Sequence, residues 1–433
     1  MNNNDTIFAL SSGRGKSGVA VIRISGDNLG DVARDMVGRA VSARHAHFVN
    51  LRDRAGDLID QCLVLYFPAP HSFTGQDVIE IHVHGASAVI EKVFEYLCGL
   101  GARMAAPGEF SRRAFYNNKM DLTDVDGLAA LLDAQTDMQR KYALRSLMGG
   151  DGAQYAAWRR DMIDIAAYAA AIVDYDADDL PPNIGDTVRA RTKKLCDELG
   201  AALSRYAAAR AVRSGFNIAF VGAPNVGKSS LFNRILGTTR AIVSDIAGTT
   251  RDVVDATLDI DGFLVRVLDT AGLRDDTSDE IEAVGIKNAR REMADANIVL
   301  YVVDNAADAG SVVARENQIV VINKSDINHC AAHSGAVCVS ATTGDGMDAL
   351  MDAIKKQIHT QTIGLENDVV LNARTHELLV TAHAGLAAAL AAPDWDIYSE
   401  NVRMAADAVG RILGVISTSD VLDATFSQLC LGK

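Results

Sequence analysis

The apolar run Phe216-Asn-Ile-Ala-Phe-Val221, followed at once by Gly222-Ala-Pro-Asn225-Val226-Gly227-Lys228-Ser229-Ser230, limits the possible folds more than any other stretch of the chain. A strand that delivers G-x-x-x-x-G-K-S into the start of a helix is a phosphate-binding loop. Its glycines let the backbone wrap phosphate oxygens, and successive N–H groups at the helix N-terminus attract negative charge. Such a loop needs a parallel sheet behind it. Asn297–Val303, Gln318–Ile322 and Ala336–Val339 are apolar runs separated by helical stretches, and they predict a doubly wound α/β domain. Asp261-Gly262 within Leu258–Val265 is a hairpin signal and predicts one antiparallel edge strand. A helix from Met347 to about Ile358 would close the domain.

The remaining elements of a nucleotide site follow in order. Lys228 should reach the β- and γ-phosphates, while Ser229 and Thr250 should ligate Mg²⁺. Asp269 should hold that ion through water, in Asp269-Thr270-Ala271-Gly272, where the Gly272 N–H would sense the γ-phosphate. Asn323-Lys324-x-Asp326 at a strand end is a base reader. The Asp326 carboxylate can accept from both guanine N–H groups, an arrangement adenine does not offer. Ser340, Ala341 and Thr342 would support the base through the backbone. Gly15-Lys16-Ser17 lacks the first glycine of the pattern, because Leu10 stands there, and is a turn before a strand.

The residue after Gly272 is Leu273, where many small GTPases place a glutamine that orients the attacking water. Leucine cannot orient water, whereas a carboxylate further on could position it indirectly; Asp275, Asp276, Asp279, Glu280 and Glu282 are the candidates. Transition-state charge also needs a cation, either an arginine finger or a bound monovalent ion. Asn225 places a side-chain oxygen near the β/γ position, and Ser244-Asp245-Ile246-Ala247-Gly248 can supply carbonyls suited to potassium.

The 433 residues divide into three regimes. Residues 1–118 alternate short β-like runs (Val19–Ile24, Cys62–Phe67, Val78–Val83) with helical stretches, as in an α+β domain. Residues 119–213 turn alanine-rich with helical spacing, broken at Pro181-Pro182, and 366–433 return to that pattern. The simplest organisation inserts the nucleotide domain, 214–365, into an all-α domain whose halves flank it. Six scattered cysteines without a C-x-x-C pair argue for reduced thiols in a cytosol, and no long apolar run is present to span a membrane. The N-terminus lacks the pattern of a signal peptide. A net charge of −14 speaks against a chain coated with nucleic-acid-binding surface. Two basic runs, Arg103/Arg112/Arg113/Lys119 and Arg189/Arg191/Lys193/Lys194, read most simply as solvated helix faces.

Three further segments carry a resemblance. Pro107-Gly-Glu109-Phe-Ser-Arg-Arg113-Ala-Phe115 with Asn118-Lys119-Met-Asp-Leu122, the strand Gly18–Gly26, and the terminal Cys430-Leu-Gly-Lys433 are similar to the signatures of the tRNA modification GTPase family MnmE (TrmE). That family lies within the TrmE-Era-EngA-YihA-Septin-like superfamily. The resemblance implies a cytoplasmic, homodimeric enzyme with an N-terminal folate-binding domain, a helical domain and an inserted Ras-like GTPase domain. It implies GTP hydrolysis stimulated by K⁺ held by Asn225, Ser244, Ile246 and Thr249, with Glu282 as catalytic carboxylate. It implies a heterotetramer with an FAD-containing MnmG (GidA)-type partner, which uses NADH. Together they would place a carboxymethylaminomethyl or aminomethyl group on C5 of the wobble uridine of certain tRNAs. It further implies 5-formyl-tetrahydrofolate (or methylene-tetrahydrofolate) bound by Arg23, Glu80, Lys119 and Lys433. Cys430 would be a reactive thiol close by.

The folate positions are also chemically apt. A pterin presents an N–C–N donor edge that Glu80 can take with both oxygens, and Arg23 and the lysines suit folate carboxylates. Glu80, His82 and His84 share one strand face by period-two alternation. The sequence departs from the family pattern in a short 304–318 segment, which reduces an expected helix to a turn. It departs also at Asn118, Leu431 and Thr342, the last replacing a lysine that would lie against the base. The competing reading is a ribosome-assembly GTPase that binds rRNA, against which the N-terminal signature, the Cys-Leu-Gly-Lys tail and the acidic charge all argue.

Overall fold

The computed structural model describes residues 5–238, 240–242, 256–268, 296–310, 312, 315–328, 335–365, 369 and 372–415. Two compact units emerge: residues 1–129, 146–161 and 406–433 in one, 130–145 and 162–405 in the other.

In the first unit β1 (Ile7–Leu10), β2 (Ser17–Gly26), β3 (His47–Arg52), β4 (Leu58–Phe67), β5 (Asp77–Gly85) and β6 (Arg103–Met104) form one sheet. Their order is β3-β4-β5-β2-β1-β6. Every pairing is antiparallel except β1 with β6. Helices α1 (Gly30–Val37) and α2 (Ser87–Gly99) cover one face, where Ala33, Met36, Val93 and Leu97 meet Phe8, Ile22, Ile24, Val64 and Ile81. The alternation of β1 sends Phe8 to that core. Ile7 and Ala9 go to the opposite face, against Phe110 of α3 (Glu109–Tyr116). The sequence patterns located β2, β4 and β5. The strands β1, β3 and β6 carry no equivalent run, being short or interleaved with polar residues.

The helices α4 (Leu122–Asp133), α5 (Asp137–Leu147), α6 (Gly150–Asp174), α7 (Ile184–Ser204) and α8 (Tyr206–Ser214) fill the alanine-rich segment, and the Pro181-Pro182 break falls between α6 and α7. In the second unit β7 (Phe216–Val221) leads into α9 (Lys228–Thr238). The sheet is completed by β8 (Arg240–Ala241), β9 (Ala256–Ile260), β10 (Phe263–Leu268), β11 (Ile298–Val303), β12 (Gln318–Ile322) and β13 (Ala336–Cys338). The order is β13-β12-β11-β7-β10-β9-β8, with β13 through β10 mutually parallel and β9 antiparallel. The hairpin at Asp261-Gly262 is present, but β9 is not the edge: the two-residue β8 pairs outside it. Two residues were too short a run to recognise as a strand.

β7 is buried on both faces, as a central parallel strand must be. Phe216, Ile218 and Phe220 join Leu231, Phe232 and Ile235 of α9 with Leu350, Ile354 and Ile358 of the helix Met347–Thr362, while Ala219 and Val221 pack with Ala296 and Val299. In chain order that helix is α11, because the 304–318 segment holds a five-residue helix, α10 (Ala306–Gly310), rather than a turn. α12 (Ala373–Ala391) and α13 (Trp395–Leu413) follow. Tyr398 of α13 donates to Thr192 Oγ1 of α7 at 2.5 Å and is fully buried. Among the described residues no helix is long and apolar enough to cross a membrane.

Two expectations change. Cys62, Cys98 and Cys196 are free thiols, but Cys338 is disulfide-bonded; spacing along a chain does not report proximity in the fold. The basic runs are not merely solvated faces either. Arg113 is 1% exposed and pairs with Glu109 at 3.2 Å. Arg189 stacks on Trp395 (4.9 Å) and Tyr398 (5.4 Å). Lys193 and Lys194 pair one turn onward with Asp197 and Glu198.

Candidate nucleotide-binding site

Because β7, β11, β12 and β13 run parallel, their carboxyl ends open on one edge of the sheet, where open α/β sheets bind ligands. Gly222–Gly227 follows β7, Asn323–Asp326 follows β12, and Ser340–Thr342 follows β13. The sequence segments expected to hold phosphate and base therefore meet at one place.

The phosphate loop has the backbone that its sequence calls for. Gly222 and Gly227 have φ of 154° and 94°, and a Cβ on either would collide with the Val302 carbonyl and the Asn323 amide respectively. Asn225 takes φ 64°, the left-handed region that asparagine tolerates best among non-glycines. Val226 is buried, whereas Asn225, Ser229 and Ser230 are exposed at the mouth. The Lys228 ammonium folds over the loop and donates to the Gly222 and Ala223 carbonyls at 2.9 and 2.8 Å.

The base side is braced against this loop. Asn323, 2% exposed, donates from Nδ2 to the Val226 carbonyl (2.9 Å) and accepts at Oδ1 from the Ala341 N–H (3.1 Å). Lys324, in the left-handed region at φ 62°, donates to the Asn225 carbonyl at 2.7 Å. Asp326 Oδ1 accepts from the Ser340 hydroxyl at 2.6 Å. Thr342 offers its carbonyl to Arg234 Nη2 at 2.8 Å, an interaction no motif announces. Ser244, Asp245, Ile246, Ala247, Gly248, Thr249, Thr250, Asp269, Thr270, Ala271, Gly272, Leu273, Glu282, Cys430 and Lys433 lie outside the described residues.

Comparison with known proteins finds relatives that match nearly the whole chain. The family model described as GTP-binding protein TrmE N-terminus matches residues 6–119, and that of the MnmE helical domain matches 122–430. The tRNA modification GTPase MnmE of Rhodospirillum rubrum is 41% identical over 453 residues, covering 99% of each chain. The chain belongs to the MnmE family of tRNA modification GTPases. MnmE of Rhizobium etli is 40% identical over 436 residues (99% of each chain), and that of Parvibaculum lavamentivorans 41% over 439 (99% of this chain, 100% of the relative). An MnmE-family chain is a P-loop GTPase acting in tRNA modification, built from an N-terminal TrmE domain, a helical domain and the α/β GTPase domain.

In the first unit, Glu109 and Arg113 of the MnmE-family signature are buried and form a charge network with Arg103. Arg103 grips Glu109 with two bonds, Nη1 to Oε2 at 2.9 Å and Nη2 to Oε1 at 2.7 Å. The Ala106 N–H adds a third at 2.9 Å, and Arg113 reaches both Glu109 and Gln76 Oε1 (2.9 Å). Burial alone would raise the Glu109 pKa. The hydrogen bonds from Arg103 and Ala106 and the two guanidinium charges overcome this and take it down to about 2. Burial lowers the pKa of Arg113, with the Glu109 charge opposing. The motif holds α3 to the sheet edge, a role its spacing did not reveal.

Beside it, Arg23 and Glu80 are cross-strand partners on β2 and β5. Arg23 Nε and Nη2 both donate to Glu80 Oε1, at 3.0 and 2.9 Å. The guanidinium lies over Phe73 (5.1 Å) and Phe110 (6.0 Å), and His82 Nε2 stands 3.5 Å from Glu80 Oε2. His84 on the same strand is turned to Asp60 at 2.8 Å. Lys119, exposed after α3, borders the loop between β4 and β5: a Cβ on Gly75 would lie 3.2 Å from its Cγ. The sequence named Arg23 and Glu80 separately; the fold makes them one ion pair, each about one-fifth exposed.

Proposed function

We propose that this chain is a potassium-stimulated GTPase. As a homodimer with a flavin-dependent MnmG/GidA-type partner, it adds a carboxymethylaminomethyl or aminomethyl group to C5 of uridine 34 in certain tRNAs, in the cytoplasm. The proposal takes residues 1–118 as the dimerising, folate-binding domain, 214–365 as the GTPase domain, and 119–213 with 366–433 as the helical domain. The observation that carries it is the phosphate loop itself, with Asn225 exposed in the left-handed region beside the Lys228 ammonium. The residues fit the ions they would hold. Ser229 opens the first turn of α9 with an exposed hydroxyl, a hard oxygen suited to Mg²⁺ alongside Thr250. Asn225 offers an amide oxygen to K⁺, with Ser244, Ile246 and Thr249 completing the set. When bound, these cations neutralise charge that develops between the β- and γ-phosphates. Lys228 exchanges its two carbonyl partners for phosphate oxygens, and Glu282 orients the water that Leu273 cannot.

At the other site the Arg23–Glu80 pair on its aromatic bed, with His82 against the second carboxylate oxygen, suits a pterin. That oxygen can take donor N–H groups, and Arg23, Lys119 and Lys433 suit the carboxylates of 5-formyl- or methylene-tetrahydrofolate. Cys430 is proposed as a thiol near that ligand. The test is GTP turnover with KCl exchanged for NaCl at constant ionic strength. Turnover at least tenfold slower in NaCl is expected. Equal rates in the two salts would overturn the cation reading.

A further inference from the structure

Among the described residues, three side chains tie the phosphate half of the nucleotide site to the base half. Asn323 and Lys324 reach from the base side to the carbonyls of Val226 and Asn225. Arg234 reaches the other way. It stands on α9, the helix that the phosphate loop opens, and its Nη2 donates to the Thr342 carbonyl at 2.8 Å. The same guanidinium lies against Gly344, where a Cβ would be 3.0 Å from Nη2 and 3.3 Å from Cζ; Gly344 has φ 95°.

What Arg234 holds is a compact loop. The Ser340 N–H donates to the Asp345 carbonyl (2.9 Å), Gly344 N–H to the Ser340 carbonyl (2.8 Å), and Thr343 N–H to Ser340 Oγ (3.1 Å). The Ser340 hydroxyl also donates to Asp326, so the carboxylate that reads guanine moves with this loop. Thr342 is too short to lie along the base as a lysine chain would. The loop must therefore hold the base through main-chain groups, whose position depends on what fixes them from behind.

We propose that Arg234 is a positioning residue for guanine recognition, fixing the Ser340–Asp345 loop and through Ser340 the Asp326 carboxylate relative to the phosphate loop. The proposal rests on the reading of Asn323–Asp326 and Ser340–Thr342 as the base reader. It deepens that reading by naming the residue outside the motifs that sets its geometry.

The test uses the full chain and its R234A and R234K variants. It measures release of GDP and of IDP, which lacks the 2-amino group that Asp326 reads, and affinity for inorganic tripolyphosphate as a probe of the phosphate loop alone. Loss of one partly exposed charged hydrogen bond predicts GDP release about fivefold faster in R234A. The preference for GDP over IDP should fall by a similar factor, tripolyphosphate affinity should stay unchanged, and R234K should recover most of the preference. A lower melting temperature with unchanged GDP-over-IDP preference would show a merely structural role and overturn the proposal. So would a loss of tripolyphosphate affinity equal to the loss for GDP, which would place the effect in the phosphate loop. A parent chain that binds GDP and IDP equally overturns the base-reader reading, and the proposal with it.

Discussion

Replacing Glu109 by glutamine removes a carboxylate that pairs with both Arg103 and Arg113. Arg113 is 1% exposed and its buried charge would lose the carboxylate it pairs with, a loss of about 3–5 kcal/mol when one partner of a buried pair is removed. The carboxyl's own titration gives a second route to the same size. A pKa taken from 4.5 to about 2 corresponds to about 3 kcal/mol of preference for the charged form in the folded state. The chain has two tryptophans, and Trp158 lies within the unit that holds the network. In a Trp395→Phe background its fluorescence reports unfolding of that unit. At a typical urea sensitivity, E109Q should lower the midpoint by about 1–2 M. The double variant E109Q/R113M removes the buried charge as well and should recover part of the loss. The pH dependence has a definite sign. Because the folded pKa is depressed, the Glu109 contribution is present above about pH 4.5 and is lost as pH falls towards about 2. E109Q should lack that loss. A midpoint within about 0.3 M of the parent, or a double variant no more stable than E109Q, would refute the view of this motif as a structural charge network.

Three other outcomes follow from the sites. Asp326→Asn should weaken GTP binding and shift preference towards xanthine nucleotides, read by competition with a fluorescent GDP; unchanged GTP affinity would remove Asp326 from base reading. Arg23→Ala should lower folate affinity at least tenfold in equilibrium titration and leave basal GTP turnover intact, because the lost guanidinium is the Glu80 partner; normal folate binding would undo the assignment. Glu282→Ala should abolish hydrolysis while GTP affinity stays within about twofold, and a parallel loss of affinity would mean the residue binds nucleotide rather than orienting water.

The sequence revealed the site better than its supports. Gly222–Ser229, Asn323–Asp326 and Ser340–Thr342 were legible because phosphate and base recognition impose fixed residue types at fixed spacing, and parallel strands then bring their ends together. Arg234 was not legible. Its partner is a main-chain carbonyl more than one hundred residues away, and a backbone acceptor leaves no mark in the sequence. Glu109 and Arg113 were visible as charges within a recognisable signature, and Arg103 only as part of a basic run. Their burial depends on α3 folding against the sheet edge formed by β1 and β6, strands too short to predict. The Arg23–Glu80 pairing required knowing that β2 lies next to β5, a long-range register that alternation in either strand cannot supply. The helical segments were read correctly as helices from alanine-rich periodicity. Their contacts, such as Tyr398 with Thr192 across α13 and α7, were not, since apolar faces of this composition are interchangeable.

The central claim is that this GTPase serves modification of the wobble uridine, and mass analysis of tRNA nucleosides tests it most directly. In cells lacking this chain, the C5-aminomethyl and C5-carboxymethylaminomethyl forms of uridine 34 should disappear, with unmodified C5 accumulating in their place. The intact chain should restore them, and a Lys228→Ala variant, deprived of the ammonium proposed to hold the phosphates, should not. An unchanged wobble uridine in those cells would leave the GTPase standing and contradict the function proposed for it.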